Sequence, residues 1–258
     1  MLGNAKGKRK ENMKMKLSGI MAVAAVACLC GCSQETGDLK MITEATFPPY
    51  EFLRGHEIVG IDVEICRAVA EKLGKGFKCE TVDFDSVIPA VISGKADLAA
   101  AGITVTEDRK RNVDFSEPYV RTGIVVIYGK AAGYSGPEQL KGRRVGVQAG
   151  TTSEAYVLEQ LGQEPERSRS PAEAVAALKA GRVDFVIADV DPARNCIKGE
   201  DALATSDFLT SEEYAVALRK GRPELLKAVN ETIAEAKADG RLAKWIAEYT
   251  AESDRLKE

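Results

Sequence analysis

Residues 99–119, AAAGITVTEDRKRNVDFSEPY, pass from a small apolar stretch through a threonine-bearing turn into a burst of charge. The apolar part reads as the end of a buried strand and the charged part as the opening of a helix, which sets Thr104 and Arg109 just past a strand end. A hydroxyl, the turn's N–H groups and a guanidinium at such a place can converge on one anion. The plainer reading of Arg109 alone is a surface ion pair within EDRKR.

Working outward, the flanking sequence alternates between strand and helix patterns. LKMITEA (39–45) reads as a strand, GIDVEICRAVAEKLG (60–74) as an amphipathic helix, CETVDF (79–84) as a strand, SVIPAVISG (86–94) as a helix and ADLAAAG (96–102) as a buried strand. After TGIVVIYG (122–129) the alternation starts again: RRVGVQAG strand, TTSEAYVLEQLG helix, PAEAVAALKAG helix, VDFVIAD strand. EEYAVALRKG (212–221) is strand-like, and two helices, 223–240 and 241–250, close the chain. This is α/β layering in two successive halves. A turn follows a strand in each half, AAGITVTE in the first and VQAGTTSE in the second, and ligands of open α/β sheets bind at such strand ends.

The N-terminus reads as an address. Six Lys or Arg precede an apolar run over residues 17–29 that ends in LCGC, too short for an ordinary membrane helix and suited to a secretory signal. Gly31 before Cys32 resembles the lipobox of bacterial lipoproteins, in which the cysteine becomes the lipid-bearing N-terminus. Removing residues 1–31 takes away six basic residues and one acidic residue and moves the net charge from −3 to −8. A chain that acidic gives no reason to expect nucleic acid. Cys66 and Cys79 could pair in an exported protein or remain buried thiols, and spacing does not decide between them.

Enzyme motifs are scarce. His56 is the only histidine, which leaves little for a histidine triad or a zinc site, and no GxxxxGK[ST] or GxGxxG follows a strand. The residues present suit a zwitterion instead. Arg109 with the Thr104 turn and the Gly150–Thr152 turn can take a carboxylate. Asp189, which ends the apolar VDFVIAD strand, can take an ammonium, the alternative being an N-cap for the following helix.

EATFPPYEF, GIDVEICRAVAEKLG, FDSVIPAVISGKADLAAAGITVTEDRKRNVDFSEPY, VGVQAGTT and GRVDFVIAD stand in the order found in the polar amino acid-binding proteins of bacterial ABC importers, solute-binding family 3. The chain resembles that family over about residues 38–250. The resemblance implies an α/β, type II periplasmic-binding-protein-like fold: lobe 1 at 38–119 plus 215–252, lobe 2 at 124–209, and crossing hinge strands at 119–124 and 210–214. Ahead of these come a lipoprotein signal peptide, 1–31, and a linker, 32–37.

Carried over residue by residue, the resemblance has Arg109, Thr104 and the Gly102 region grip the α-carboxylate while the Thr152 turn caps it. Asp189 and a Gly102 carbonyl take the α-ammonium, Phe47 and Phe84 sandwich the side chain, and Glu44 and Gln148 read its far end. It further implies a monomeric, non-catalytic receptor, lipid-anchored at Cys32 on the outer face of the cell membrane or in the periplasm. Such a receptor needs no metal or cofactor. It binds a free L-amino acid, with a basic or amide side chain favoured, and delivers it to an ABC permease. A cyclohexadienyl dehydratase-like enzyme on the same scaffold is the alternative.

Overall fold

The computed structural model describes residues 37–255. The expected signal peptide, Cys32 and all but the last residue of the expected linker lie outside the described residues. The first part of the chain carries β1 (Leu39–Thr43), β2 (Thr46–Phe47), β3 (Glu51–Arg54), β4 (Glu57–Val59), α1 (Ile61–Lys72), β5 (Phe77–Thr81), α2 (Val87–Ile92), β6 (Leu98–Ala99), α3 (Glu107–Lys110) and β7 (Val113–Phe115). Then follow β8 (Val120–Gly129), β9 (Val145–Gln148), α4 (Thr152–Tyr156), β10 (Glu166–Ser168), α5 (Pro171–Lys179), β11 (Phe185–Asp189), α6 (Val190–Ile197), β12 (Leu203–Thr205) and β13 (Thr210–Tyr214). The chain closes with β14 (Ala217–Arg219), α7 (Pro223–Ala238) and α8 (Arg241–Arg255).

Two sheets organise these elements. One has the order β5-β1-β6-β14-β7, with β1 parallel to both neighbours and β14 antiparallel to β6 and β7. The other has the order β10-β9-β11-β8-β12, with β13 also paired to β8. In that sheet β9 is parallel to β10 and β11, while β8 runs antiparallel to β11, β12 and β13. The chain therefore passes from the first sheet to the second at β8 and returns after β13. These two strands pair along Thr210↔Ile124 to Tyr214↔Val120, forming a ribbon between the lobes.

Each sheet has its own core, as layered α/β units require. In the first, the α1 stripe Val63, Cys66 and Val69 meets Val229 and Ile233 of α7 and Leu242 of α8 above Leu39 and Met41. Each fully buried Val, Leu or Ile side chain there contributes about 1.5–3 kcal/mol. The second lobe packs α5 and α6 over Val125, Ile127 and Val186 on one face, and Leu140, Val157 and Phe185 over Ile124, Val126 and Ile187 on the other. Such two-sided burial explains why β8 and β11 read as continuous apolar runs.

Local differences from the sequence pattern have local causes. The expected helix over 86–94 is shorter, α2, entered through a 3₁₀ turn at Phe84–Ser86. Pro89 lies in its first turn, where its missing N–H costs nothing. The expected helix over 151–162 is α4 continued by a wider π-turn at Val157–Leu161, ending at Gly162 in the left-handed region. Cys66 and Cys79 carry free thiols. His56 lies between β3 and β4, at an exposed hairpin turn.

Candidate functional site

The turn between β6 and α3 carries a cluster of polar contacts. Gly102 sits there at φ +54°, and a Cβ on it would come 2.6 Å from the Phe47 ring, so both the conformation and the space require glycine. Its N–H donates to Asp62 Oδ2 at 2.9 Å. Thr104 pairs with Tyr214 across an isolated bridge, and its hydroxyl donates to Glu212 Oε2 at 2.6 Å. Thr106 caps α3 by accepting from Arg109 N. That cap begins the helix where the Arg109 side chain turns back towards the strand end.

Arg109 spans the two lobes. Its Nη1 donates to Thr104 O at 2.8 Å and its Nη2 to Gly150 O at 3.0 Å, while the guanidinium lies over the Phe84 ring at 5.5 Å. The far lobe approaches closely here, since a Cβ on Gly150 would come 3.0 Å from Asp85 Cα. Burial lowers the Arg109 pKa, and the acidic Glu212 and Asp189 oppose that shift. The Gly150–Thr152 turn is held by Thr151, whose hydroxyl accepts from Glu154 N and donates to Gln148 O. Thr152 lines, with Thr104 and Glu212, a groove of about 1070 Å³ along the ribbon.

Asp189 ends β11 and is 6% exposed. By backbone position it precedes α6, yet its side chain makes no cap hydrogen bond; Oδ1 accepts from the Tyr214 hydroxyl at 2.5 Å. Burial and then Glu212 push its carboxyl up to about 7, against the pull of Tyr214 and Arg109. Tyr214 packs edge-on to Tyr50 at 5.0 Å, and Phe47 lies 5.9 Å from Tyr50 and 6.4 Å from Tyr214. Tyr50 donates in turn to Asp191 Oδ2 at 2.7 Å, a second hydrogen bond between the lobes.

At the other end, Glu44 and Gln148 face one another from opposite lobes. Glu44 is 5% exposed, accepts from the Thr46 hydroxyl and has Oε2 without a partner of good geometry. Burial raises its pKa, while Thr46 and Gln148 lower it. Gln148 donates to Arg169 O at 2.9 Å.

The structure thus gathers Gly102, Thr104, Arg109 and Phe84 with the Gly150–Thr152 turn, Asp189 near Arg109 through Tyr214 and Glu212, and Glu44 against Gln148. Phe47 belongs to the Tyr50–Tyr214 cluster beside Gly102, and Phe84 lies against the Arg109 guanidinium. Tyr50, Asp62, Glu212 and Tyr214 were not among the residues expected from sequence. Glu212 and Tyr214, two apart in one strand, share a face, which is a signal the EEY triplet does carry. Among the described residues no group of three or more His, Cys, Asp or Glu is arranged to hold a metal.

Residues 39–252 match the bacterial extracellular solute-binding proteins, family 3. The chain belongs to that family. It is 32% identical over 246 residues to the L-cystine-binding protein TcyJ of Escherichia coli (strain K12), covering 89% of this chain and 92% of that protein. Among solved structures, an amino acid ABC transporter substrate-binding protein, AbpA, from Streptococcus pneumoniae bound to L-arginine superposes with a TM-score of 0.78 at 32% identity, covering 85% of this chain and 97% of that one. An ancestral arginine-binding protein bound to glutamine superposes with a TM-score of 0.74 at 38% identity, covering 83% and 97%. The family's two-lobed, type II periplasmic-binding-protein architecture is the fold described above, and these relatives are named as binding proteins, not enzymes. Among the described residues no helix is long and apolar enough to cross a membrane.

Proposed function

We propose that this chain is the receptor of an amino acid importer, which captures a polar amino acid between its lobes and passes it to an ABC permease. The observation that carries the reading is that Arg109, from one lobe, and Asp189, from the other, lie close enough to act on each other's charge, with Glu212 beside both. Arg109 donates to backbone carbonyls and Asp189 accepts from a tyrosine. A zwitterion supplies a carboxylate to the first and an ammonium to the second, each a stronger, charge-assisted hydrogen bond. Thr104 and the Thr152 turn complete the carboxylate end, and the Gly102 carbonyl assists Asp189. Phe47 and Phe84 flank the side chain, and Glu44 and Gln148 read its tip.

The charge inventory favours a basic or amide side chain. Glu44, Asp189 and Glu212 are buried acids, and Arg109 is the guanidinium among them. A ligand with a second cation balances that set better than one with a second carboxylate, which Glu44 would repel. The division into lobes at 38–119 plus 215–252 and 124–209, moving about 119–124 and 210–214, fits the two passages of the chain between sheets. The leader sequence supports export with residues 1–31 removed and Cys32 lipidated, which would hold the receptor, a monomer on this reading, at the membrane. Isothermal calorimetry against arginine, ornithine, glutamine, cystine and glutamate tests the reading: binding of at least one of the first four is expected, and no binding to any would overturn it.

A further inference from the structure

Asp62 is an unusual residue for the buried face of α1. Its side chain is fully buried, as is that of Glu51 on β3. Asp62 Oδ2 holds the Gly102 amide, but Asp62 Oδ1 and both Glu51 oxygens have no donor, and the nearby Tyr119 hydroxyl has no acceptor of good geometry. The titratable groups around the pair supply no positive charge: Tyr50, Tyr119, Cys66 one turn along α1, Cys79 on β5, and Glu44 after β1. Two ionised carboxylates in such a place would be strongly destabilising.

We propose that Glu51 and Asp62 share one proton and act as a positioning pair for the turn that meets the ligand. Protonated Glu51 donates to Asp62 Oδ1, Tyr119 donates to the same carboxylate, and Asp62 Oδ2 is left aimed at Gly102 N. One proton thus joins one Glu51 oxygen, Asp62 Oδ1 and the Tyr119 hydroxyl in a chain of donors and acceptors that ends at the Gly102–Thr104 turn. Gly102 cannot shift in compensation, because the Phe47 ring closes the other side. The direction of titration agrees: burial drives Glu51 well above the usual carboxylate range, and Asp62 to about 6. The pair touches no ligand and acts through the turn. The inference rests on the proposed role of Gly102 and Thr104 in ligand binding.

The ligand-free full chain tests the proton directly. Infrared difference spectroscopy of wild type against Glu51→Gln at neutral pH should show the loss of one protonated-carboxyl band, and absence of that band overturns the shared proton. Binding of arginine and glutamine then tests the positioning. Asp62→Ala, with no acceptor for Gly102, should weaken binding about tenfold or more, whereas Asp62→Asn, whose amide oxygen can still accept, should stay within about threefold of wild type. The Gly102 amide proton shift should move in Asp62→Ala and be retained in Asp62→Asn. Equal losses in both variants, or none in Asp62→Ala, overturn the positioning role. If wild type binds neither of these nor ornithine or cystine, the receptor reading fails, while the infrared band and the Gly102 shift still decide the pair.

Discussion

The Tyr214 hydroxyl lies 2.5 Å from Asp189 Oδ1, joining the ribbon strand β13 to the end of β11. The bond orients the carboxylate, and it ties the proposed ammonium site to the strand that returns the chain to the first lobe. With Thr104 paired to Tyr214 and hydrogen-bonded to Glu212, the Thr104 turn and Asp189 both rest on one short stretch of ribbon.

Because Asp189 is pushed up to about 7, ligand binding should depend on pH. An ammonium needs the ionised carboxylate, so affinity should fall as pH drops below about 7, approaching tenfold per pH unit. For the ligand-free protein the sign is opposite: a raised native pKa favours the folded state in acid, and that contribution is lost as pH rises through about 7. The thermal shift produced by ligand should therefore grow from pH 5.5 to pH 8, to be read by calorimetric scanning across that range. In Tyr214→Phe, which removes a donor to the ionised form, the midpoint of the affinity profile should move upward. An unmoved midpoint would separate Tyr214 from the site.

Arg109→Ala and Asp189→Ala should each weaken binding by about 2–5 kcal/mol, since each leaves an opposite ligand charge enclosed without its partner. A micromolar ligand would fall to roughly millimolar or beyond detection, at about 1.4 kcal/mol per tenfold. Titration calorimetry showing either variant within about threefold of wild type would remove that residue from the site.

Glu44→Gln should slide preference from arginine towards glutamine, because the buried carboxylate attracts a second cation and a neutral amide does not. The ratio of dissociation constants for the two ligands measures this. Unchanged ratios, or a wild type that prefers glutamate, would mean that Glu44 serves only Thr46 and the local turn.

Membrane attachment should depend on Cys32. Cys32→Ala expressed in a bacterial host that processes lipoproteins should be recovered in the soluble fraction without lipid. Quantitative recovery with membranes would point to another anchor.

The sequence by itself determined the alternation of strands and helices, because burying one face of each element imposes a period that reads directly along the chain. It also determined the family, from whose resemblance the role of Gly102 came, and Arg109 and Asp189 could be singled out because a cation past a strand end and a carboxylate closing an apolar strand conflict with their surroundings unless something else satisfies them. Only the tertiary structure decided who satisfies them. Tyr214 reaches Asp189 from 25 residues away, Asp62 reaches Gly102 from 40, and Glu212 reaches Thr104 from 108. Such partners leave no periodic trace, because hydrogen-bond geometry is set by how two lobes and a ribbon pack and not by spacing along the chain. The burial of Asp62 shows the same limit: in a helix sequence it reads as an ordinary acidic first-turn residue, and only its enclosure beside Glu51 makes its charge a matter of structure.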